Sequence, residues 1–140
     1  MGVRVLNVEV KVKVYIDDAM KFVEEALREF RDGVANNDIV RVRDAAEKAW
    51  NAVIQATNAL ILYYLGKTPS SHWERRRLLR ELEREKPEVE SLGFRDRYSA
   101  RERNLHEIVF YEGLVDINDV EFELEKARRY VEDARKLLGL

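Results

Sequence analysis

The chain has 140 residues, of which 46% are hydrophobic and 37% are charged, and its charges nearly cancel to a net −2. This composition predicts one folded domain and excludes a disordered chain or a uniformly basic nucleic-acid binder. The chain has no cysteine and two histidines, so we expect no disulfide, no metal centre and no cofactor. The longest apolar run, residues 59–65, is too short to cross a bilayer, and we therefore expect a soluble, cytoplasmic protein that does not bind membranes.

The first predicted element is a β-strand over residues 3–16. Its second half alternates β-branched and mostly charged residues, with the β-branched positions at Val8, Val10, Val12, Val14 and Ile16. A period of two with β-branched residues is typical of a strand. Because a lone strand leaves its backbone groups unpaired, we expect it to pair with its own front half or with another chain. Residues 1–16 are thus predicted to form a strand extension on a helical domain that spans residues 17–140.

All later elements are predicted to be helical. Apolar residues at helical spacing and the positions of likely caps place five helices, over residues 18–34, 38–65, 71–86, 95–113 and 119–138. Ser71 and Glu74 form a capping box at the start of the third helix. Short connections between amphipathic helices predict an antiparallel bundle of four or five helices.

The second of these helices, residues 38–65, is predicted to lie at the centre of the bundle. Its main apolar stripe repeats at alternate spacings of three and four residues, and Trp50 begins a second stripe beside it. A helix with two apolar stripes contacts neighbours on both sides. We therefore expect Trp50 to be buried.

Arg101 and His106 are the first candidates for catalysis. A histidine can act as an acid or base near neutral pH, and an arginine can stabilise the charge of a phosphate. A metal-independent ribonuclease needs both groups, since the 2′-hydroxyl of the RNA is itself the nucleophile. On an ideal α-helix the two side chains point about 140° apart. They would converge only across a shallow groove, at a distorted helix or with copies from a second chain; otherwise Glu102 and His106 form an ordinary surface pair.

Other candidates have simpler structural explanations. An arginine cluster in the third helix resembles a phosphate-binding face, but interleaved glutamates are typical of a solvated helix; it comprises Arg75, Arg76, Arg77, Arg80 and Arg84. The run Ser70-Ser71-His72 has the residue types of acyl transfer, but it lacks an orienting acid, and Ser71 is explained as a helix cap. Glu47 is a lone carboxylate on the central helix.

The order of the helices and two short motifs resemble the HEPN superfamily. The motifs are the run Glu47-Lys48-Ala49-Trp50-Asn51-Ala52 and the later Arg101-x4-His106, and the first of them is most similar to the archaeal PaREP-type branch. The resemblance covers roughly residues 17–138. It implies an all-α bundle that forms a homodimer. It also implies metal-independent ribonuclease activity, with the Arg-x4-His motifs of two subunits meeting in a cleft at their interface.

Carried over from this resemblance, His106 would be the acid or base and Arg101 would bind phosphate. The candidates for substrate binding are Glu47, Arg97, Arg103 and Asn104. The implied partners are a second copy of the chain, RNA and a nucleotidyltransferase-like antitoxin. The alternative function is a non-catalytic helical module that binds a nucleotide or a protein. An accessible, positively charged cleft around His106 would favour the first function, and a buried or outward-pointing His106 the second.

Overall fold

The computed structural model describes the backbone of residues 2–140 and the side chains of residues 7–140. The elements in chain order are α1 (Gly2–Ala35), α2 (Ile39–Leu65), α3 (His72–Glu85), α4 (Pro87–Leu92), α5 (Phe94–Arg101), a π-helix (Glu102–Tyr111) and α6 (Ile117–Leu137). Over this part of the chain all regular structure is helical, which confirms the all-α class. The predicted N-terminal β-strand is wrong.

The segment predicted as a strand is the first half of α1, which continues without a break through the expected boundary at residue 16. Val12 and Ile16 are buried, whereas Val10 and Val14 are 60% and 50% exposed. The buried positions continue at alternate spacings of four and three residues, through Val12, Ile16, Ala19, Val23, Ala26 and Phe30. This longer helical period overrides the local alternation, because it lets one continuous face of α1 pack on α2.

The centre of the bundle is α2, which contacts α1 along its length and also packs against α3, α5, the π-helix and α6. Asp38 caps its first turn by accepting a hydrogen bond from the Arg41 N–H at 3.1 Å, and Gly66 ends it in the left-handed conformation. Trp50 is 1% exposed, as its place on the second stripe predicts. Buried alanines give the neighbouring helices room to approach, at Ala45, Ala46, Ala49, Ala52, Ala56 and Ala59.

The predicted start of α3 is confirmed, whereas the last two predicted helices differ from those observed. Ser71 caps α3 as expected, accepting a hydrogen bond from the Glu74 N–H at 3.0 Å. The single helix predicted over 95–113 is instead α5 followed by the π-helix. The last helix begins at Ile117 instead of residue 119, because the Asp116 side chain caps it by accepting from the Asp119 N–H at 3.1 Å.

Candidate active site

The π-helix begins directly after Arg101 and contains His106, so it sets the angle between the two side chains of the Arg-x4-His motif. Hydrogen bonds in a π-helix join residues five apart, and such segments are rare and often lie at functional sites. Arg43 of α2 anchors the end of this one, donating from Nε (3.1 Å) and Nη2 (2.6 Å) to the carbonyl oxygen of Phe110. Gly113 leaves room for this contact, because a Cβ at that position would lie 3.1 Å from Cζ of Arg43. The sequence gives no local signal for this long-range anchor.

His106 points from the π-helix towards α2, where it meets Glu47. Its Nδ1 lies 2.8 Å and 3.0 Å from the two carboxylate oxygens of Glu47, and both side chains are 19% exposed. An ionised carboxylate only accepts hydrogen bonds, so Nδ1 carries the proton and donates it. The Nε2 of the neutral imidazole is then free to accept a proton. Glu47 therefore orients His106 in the form that a general base requires.

Burial raises the pKa of Glu47 above its usual range, and this outweighs the hydrogen bond from His106, which lowers it. The carboxylate is thus poorly solvated and depends on His106 as its partner. Glu47 was predicted as a substrate-binding residue, and the structure places it directly behind His106. Its use as an orienting group could not be read from the sequence, since 59 residues separate the two side chains.

A second histidine, His72 at the start of α3, lies beside His106 with ring centroids 5.4 Å apart. Its Nδ1 is 3.1 Å from Nη1 of Arg75, whose Nε donates to the Asn58 side-chain oxygen at 2.9 Å. A guanidinium can only donate, so Nδ1 of His72 accepts and the neutral ring carries its proton on Nε2. The two imidazoles are therefore held in opposite tautomers.

Burial lowers the pKa of His72 below its ordinary value. The positive charges of Arg75 and Arg76 and the neighbouring His106 lower it further, while Glu102 opposes them. His72 is therefore neutral near pH 7 and offers Nε2–H as a donor. The sequence indicates His72 only as part of a serine–histidine run. Only the tertiary structure shows that it lies beside His106.

Two aromatic side chains pack under the histidines. The ring of Trp50 lies 5.2 Å from His72, 5.8 Å from His106 and 4.9 Å from Tyr98. The Tyr98 hydroxyl is 3.4 Å from Nδ1 of His72, and burial raises the pKa of Tyr98 to about 12, so this hydroxyl keeps its proton. Trp50 therefore packs against both imidazoles, and Tyr98 lies beside His72.

Arg76 brings a cation to the edge of this cluster. Its Nη1 lies 2.5 Å from Oε1 of Glu102, at the start of the π-helix, and the Arg76 side chain is 35% exposed. Because Glu102 pairs with Arg76, a bound phosphate would have to compete with Glu102 for that guanidinium.

Arg101 and Asn104 point away from this cluster, towards α6. Nε of Arg101 donates to Glu123 at 2.7 Å, and Asn104 donates to the other oxygen of Glu123 at 3.0 Å. Arg101 is only 4% exposed. Within the chain, the structure therefore does not bring Arg101 and His106 together, and the predicted catalytic role of Arg101 stays a prediction.

The remaining predicted binding residues, Arg97 and Arg103, pair with carboxylates other than Glu47. Arg97 forms an ion pair with Asp133 at 2.9 Å and stacks over the Phe94 and Tyr130 rings. Arg103 is exposed and lies 3.4 Å from Glu112. Their proposed contacts with substrate also stay predictions.

Among the described residues, no group of three or more histidine, aspartate or glutamate side chains is placed to hold a metal ion. Over the same residues, no helix combines the length and apolar composition that crossing a bilayer requires.

The fold and the site define a helical-bundle domain with a carboxylate-oriented histidine between its central helix and a π-helix. The family model described as the archaeal PaREP1/PaREP8 family matches residues 14–131, and the chain belongs to that family. The match includes α2, α3, α5 and the π-helix, and therefore every residue of the site. No curated protein matches the chain.

Proposed function

We propose that this chain is an RNA-binding and RNA-processing domain of the HEPN type that cleaves RNA without a metal ion. The observation that carries the proposal is the bond between Nδ1 of His106 and the Glu47 carboxylate, which leaves Nε2 as a proton acceptor. A carboxylate–histidine pair in a partly exposed position is the arrangement by which a protein activates a hydroxyl group. The HEPN resemblance supplies the substrate class.

In the proposed reaction, Nε2 of His106 takes the proton of the RNA 2′-hydroxyl. The 2′ oxygen then forms a bond to the adjacent phosphorus, and the bond from phosphorus to the 5′ oxygen breaks. The leaving 5′ oxygen takes a proton from water, and His106 later returns its own proton to solvent. The products are a 2′,3′-cyclic phosphate and a 5′-hydroxyl end, so atoms and charge balance without an external reagent.

Charge on the phosphate is stabilised by groups around His72 in this proposal. The Nε2–H of His72 and the guanidinium of Arg76 supply a neutral and a charged donor on the α3 side of His106. Donors placed where charge develops lower the barrier most. Arg101 then has a structural role within each chain, because Glu123 already occupies its guanidinium.

The resemblance also proposes a homodimer. Three large apolar side chains near the end of the π-helix and on α6 support it, since they are 58–68% exposed: Tyr111, Leu114 and Phe122. The nucleotidyltransferase-like antitoxin remains a prediction of the resemblance alone.

A non-catalytic interaction module is the second candidate, and the Arg101–Glu123 pair favours it. A phosphate-binding arginine that is 4% exposed and already paired cannot receive a substrate in the same chain. In this alternative His106 and Glu47 stabilise the bundle or bind a nucleotide without breaking it.

RNA cleavage by the full-length protein tests the proposal. We expect cleavage in EDTA with cyclic-phosphate ends, and a loss of about 100-fold to 10,000-fold in His106→Ala. Glu107→Gln, one residue further along the π-helix, is the matched control and should cleave normally. If His106→Ala cleaves as fast as the wild type, the activity comes from elsewhere and the interaction module is the better proposal.

A further inference from the structure

The outer face of α3 carries an aromatic residue and three arginines in one line. Trp73, Arg77, Arg80 and Arg84 follow one another at spacings of four, three and four residues, so they share a face of the helix. All four are exposed, and Trp73 is 59% exposed. We call these four residues the α3 stripe. It begins at Trp73, directly after His72 of the candidate active site.

The arginines of the α3 stripe have no carboxylate partner among the described side chains. The arginines of α6 differ: Arg128 and Arg135 bond Glu125 and Glu132, three residues earlier, and Arg129 lies 3.5 Å from Glu125. Both helices are rich in arginine and glutamate, yet only on α6 do glutamates of the same helix pair with the exposed guanidiniums. The α3 stripe therefore keeps donors free for an external anion.

A polar groove of about 560 Å³ lies beside the α3 stripe. Four cationic side chains line it, Lys67 and the three arginines of the stripe, together with the two carboxylates of Glu74 and Glu81. Glu74 is already engaged by the Ser70 N–H at 3.1 Å, and Glu81 lies 3.9 Å from Lys67. A chain with a net charge of −2 thus has a locally positive groove at this position.

Trp73 adds an exposed flat ring beside Arg77, one of the arginines that line the groove. The guanidinium of Arg77 lies over its ring at 4.8 Å from the centroid. Exposed aromatic rings beside a positively charged groove are how proteins bind single-stranded nucleic acid, because a base can stack on the ring while cations follow the phosphates. From Trp73 to Arg84 the helix extends about 16 Å, enough for a few nucleotides.

From these observations we infer that the α3 stripe binds single-stranded RNA and leads it to the His72–His106 site. The inference rests on the proposed function for its substrate class and goes beyond it in naming the binding surface. A base stacks on Trp73, which follows His72 in the sequence, and the phosphates on one side of it run along Arg77, Arg80 and Arg84. A protein partner would need carboxylates opposite all three arginines, whereas the regularly spaced phosphates of a nucleic acid supply that charge in any sequence.

The test measures binding separately from cleavage. The full-length protein with His106→Ala is titrated against a fluorescein-labelled single-stranded oligouridylate at several KCl concentrations, and anisotropy gives the dissociation constant. Removing three phosphate contacts by R77A, R80A and R84A together should reduce the slope of log affinity against log salt by about 2. Trp73→Ala should weaken binding about tenfold with little change in slope, because stacking releases no counterions.

A triple variant on α6 is the matched control. R128A, R129A and R135A together remove the same charge from a surface where each arginine is already paired, so the salt slope should stay near that of the parent. Equal slopes for the two triple variants, in a protein that does bind RNA, would overturn the α3 stripe and leave the proposed function standing. A parent that neither binds nor, with His106 restored, cleaves RNA would overturn both.

Discussion

The two sides of the π-helix hold carboxylates in different environments. On the α2 side, Glu47 and His106 form a pair in which each side chain is 19% exposed. On the α6 side, the Arg101 and Glu123 side chains are 5% and 13% exposed, and Asn104 fills the other oxygen of Glu123. The first pair leaves a ring nitrogen for a ligand, whereas the second satisfies its own groups.

Within the Arg-x4-His motif, His106 therefore belongs to the candidate site, whereas Arg101 has a structural role. Arg101 and His106 are five residues apart and were predicted to act together, yet they face different neighbouring helices. A buried ion pair is weak evidence for added stability. Removing one partner, however, leaves the other charge buried and unpaired, which destabilises the fold. We therefore expect substitutions on the α6 side to affect folding, and those on the α2 side to affect chemistry unless they remove the packing underneath.

The largest expected effect is that of Trp50→Ala, which removes the packing beneath the α2 side. Trp50 is 1% exposed and contacts both histidines and Tyr98. Losing a buried tryptophan should reduce the free energy of unfolding by about 3–5 kcal/mol, measured by urea denaturation. Trp73→Ala, on the exposed face of α3, is the control and should change stability by less than about 0.5 kcal/mol. A small loss for Trp50 would mean that the site is not built on this ring.

Arg101→Ala should have the next largest effect. It leaves the Glu123 carboxylate partly buried beside Asn104 without its cation, which should cost about 3 kcal/mol. Replacing both partners, with Arg101→Met and Glu123→Leu, should recover most of that loss because no charge is left unpaired. Urea denaturation of the three variants measures both values. If the double variant is as unstable as Arg101→Ala, unpaired charge is not the cause.

The bundle could be predicted in large part from the sequence, since its signals are local or periodic. The capping residues Asp38 and Ser71 and the stripes of α2 act through neighbours within a turn or two of the helix. The first half of α1 was misread because Val8 to Ile16 satisfy a period of two and a heptad-like period at once. Only packing against α2 decides between them.

The site could be predicted only in part. His106 and Glu47 were both singled out, but their contact joins residues 59 apart in sequence. The end of the π-helix is held by Arg43, which donates to the carbonyl oxygen of Phe110, 67 residues away. Local helix propensity cannot predict this contact. The local neighbours of His72 are two serines, and they point to acyl transfer instead of to a site shared with His106. Tertiary contacts, not local patterns, assemble this site.

The Glu47→Gln substitution tests the division between the two sides of the π-helix through RNA cleavage. A glutamine can donate as well as accept, so it no longer fixes the proton of His106 on Nδ1. We expect RNA cleavage to fall about 10-fold to 100-fold, the usual cost of losing an orienting partner. Glu123→Gln is the matched change on the α6 side, and it should lower stability while the folded protein cleaves at the wild-type rate. Equal losses of activity in both variants would contradict the division between the two sides.

The smallest expected effect is a change in how stability depends on pH. The pKa of His72 is lowered in the folded protein by burial and by the nearby Arg75, Arg76 and His106, against the opposing charge of Glu102. Between this lowered pKa and the unfolded value of about 6.5, the unfolded chain binds more protons. Stability contributed by neutral His72 is therefore present above pH 6.5 and lost as the pH falls through that window.

His72→Gln should make this pH dependence shallower, by less than one proton per molecule, because the glutamine does not titrate. Glu47 acts in the opposite direction, since its raised pKa makes the folded state bind more protons as the pH falls. It is present in both proteins, so the difference between their curves reports His72. Urea denaturation at a series of pH values between 7 and 5 gives both curves. Parallel curves would mean that His72 gains a proton as readily in the folded protein as in the unfolded chain, and its assignment as a neutral donor would fail.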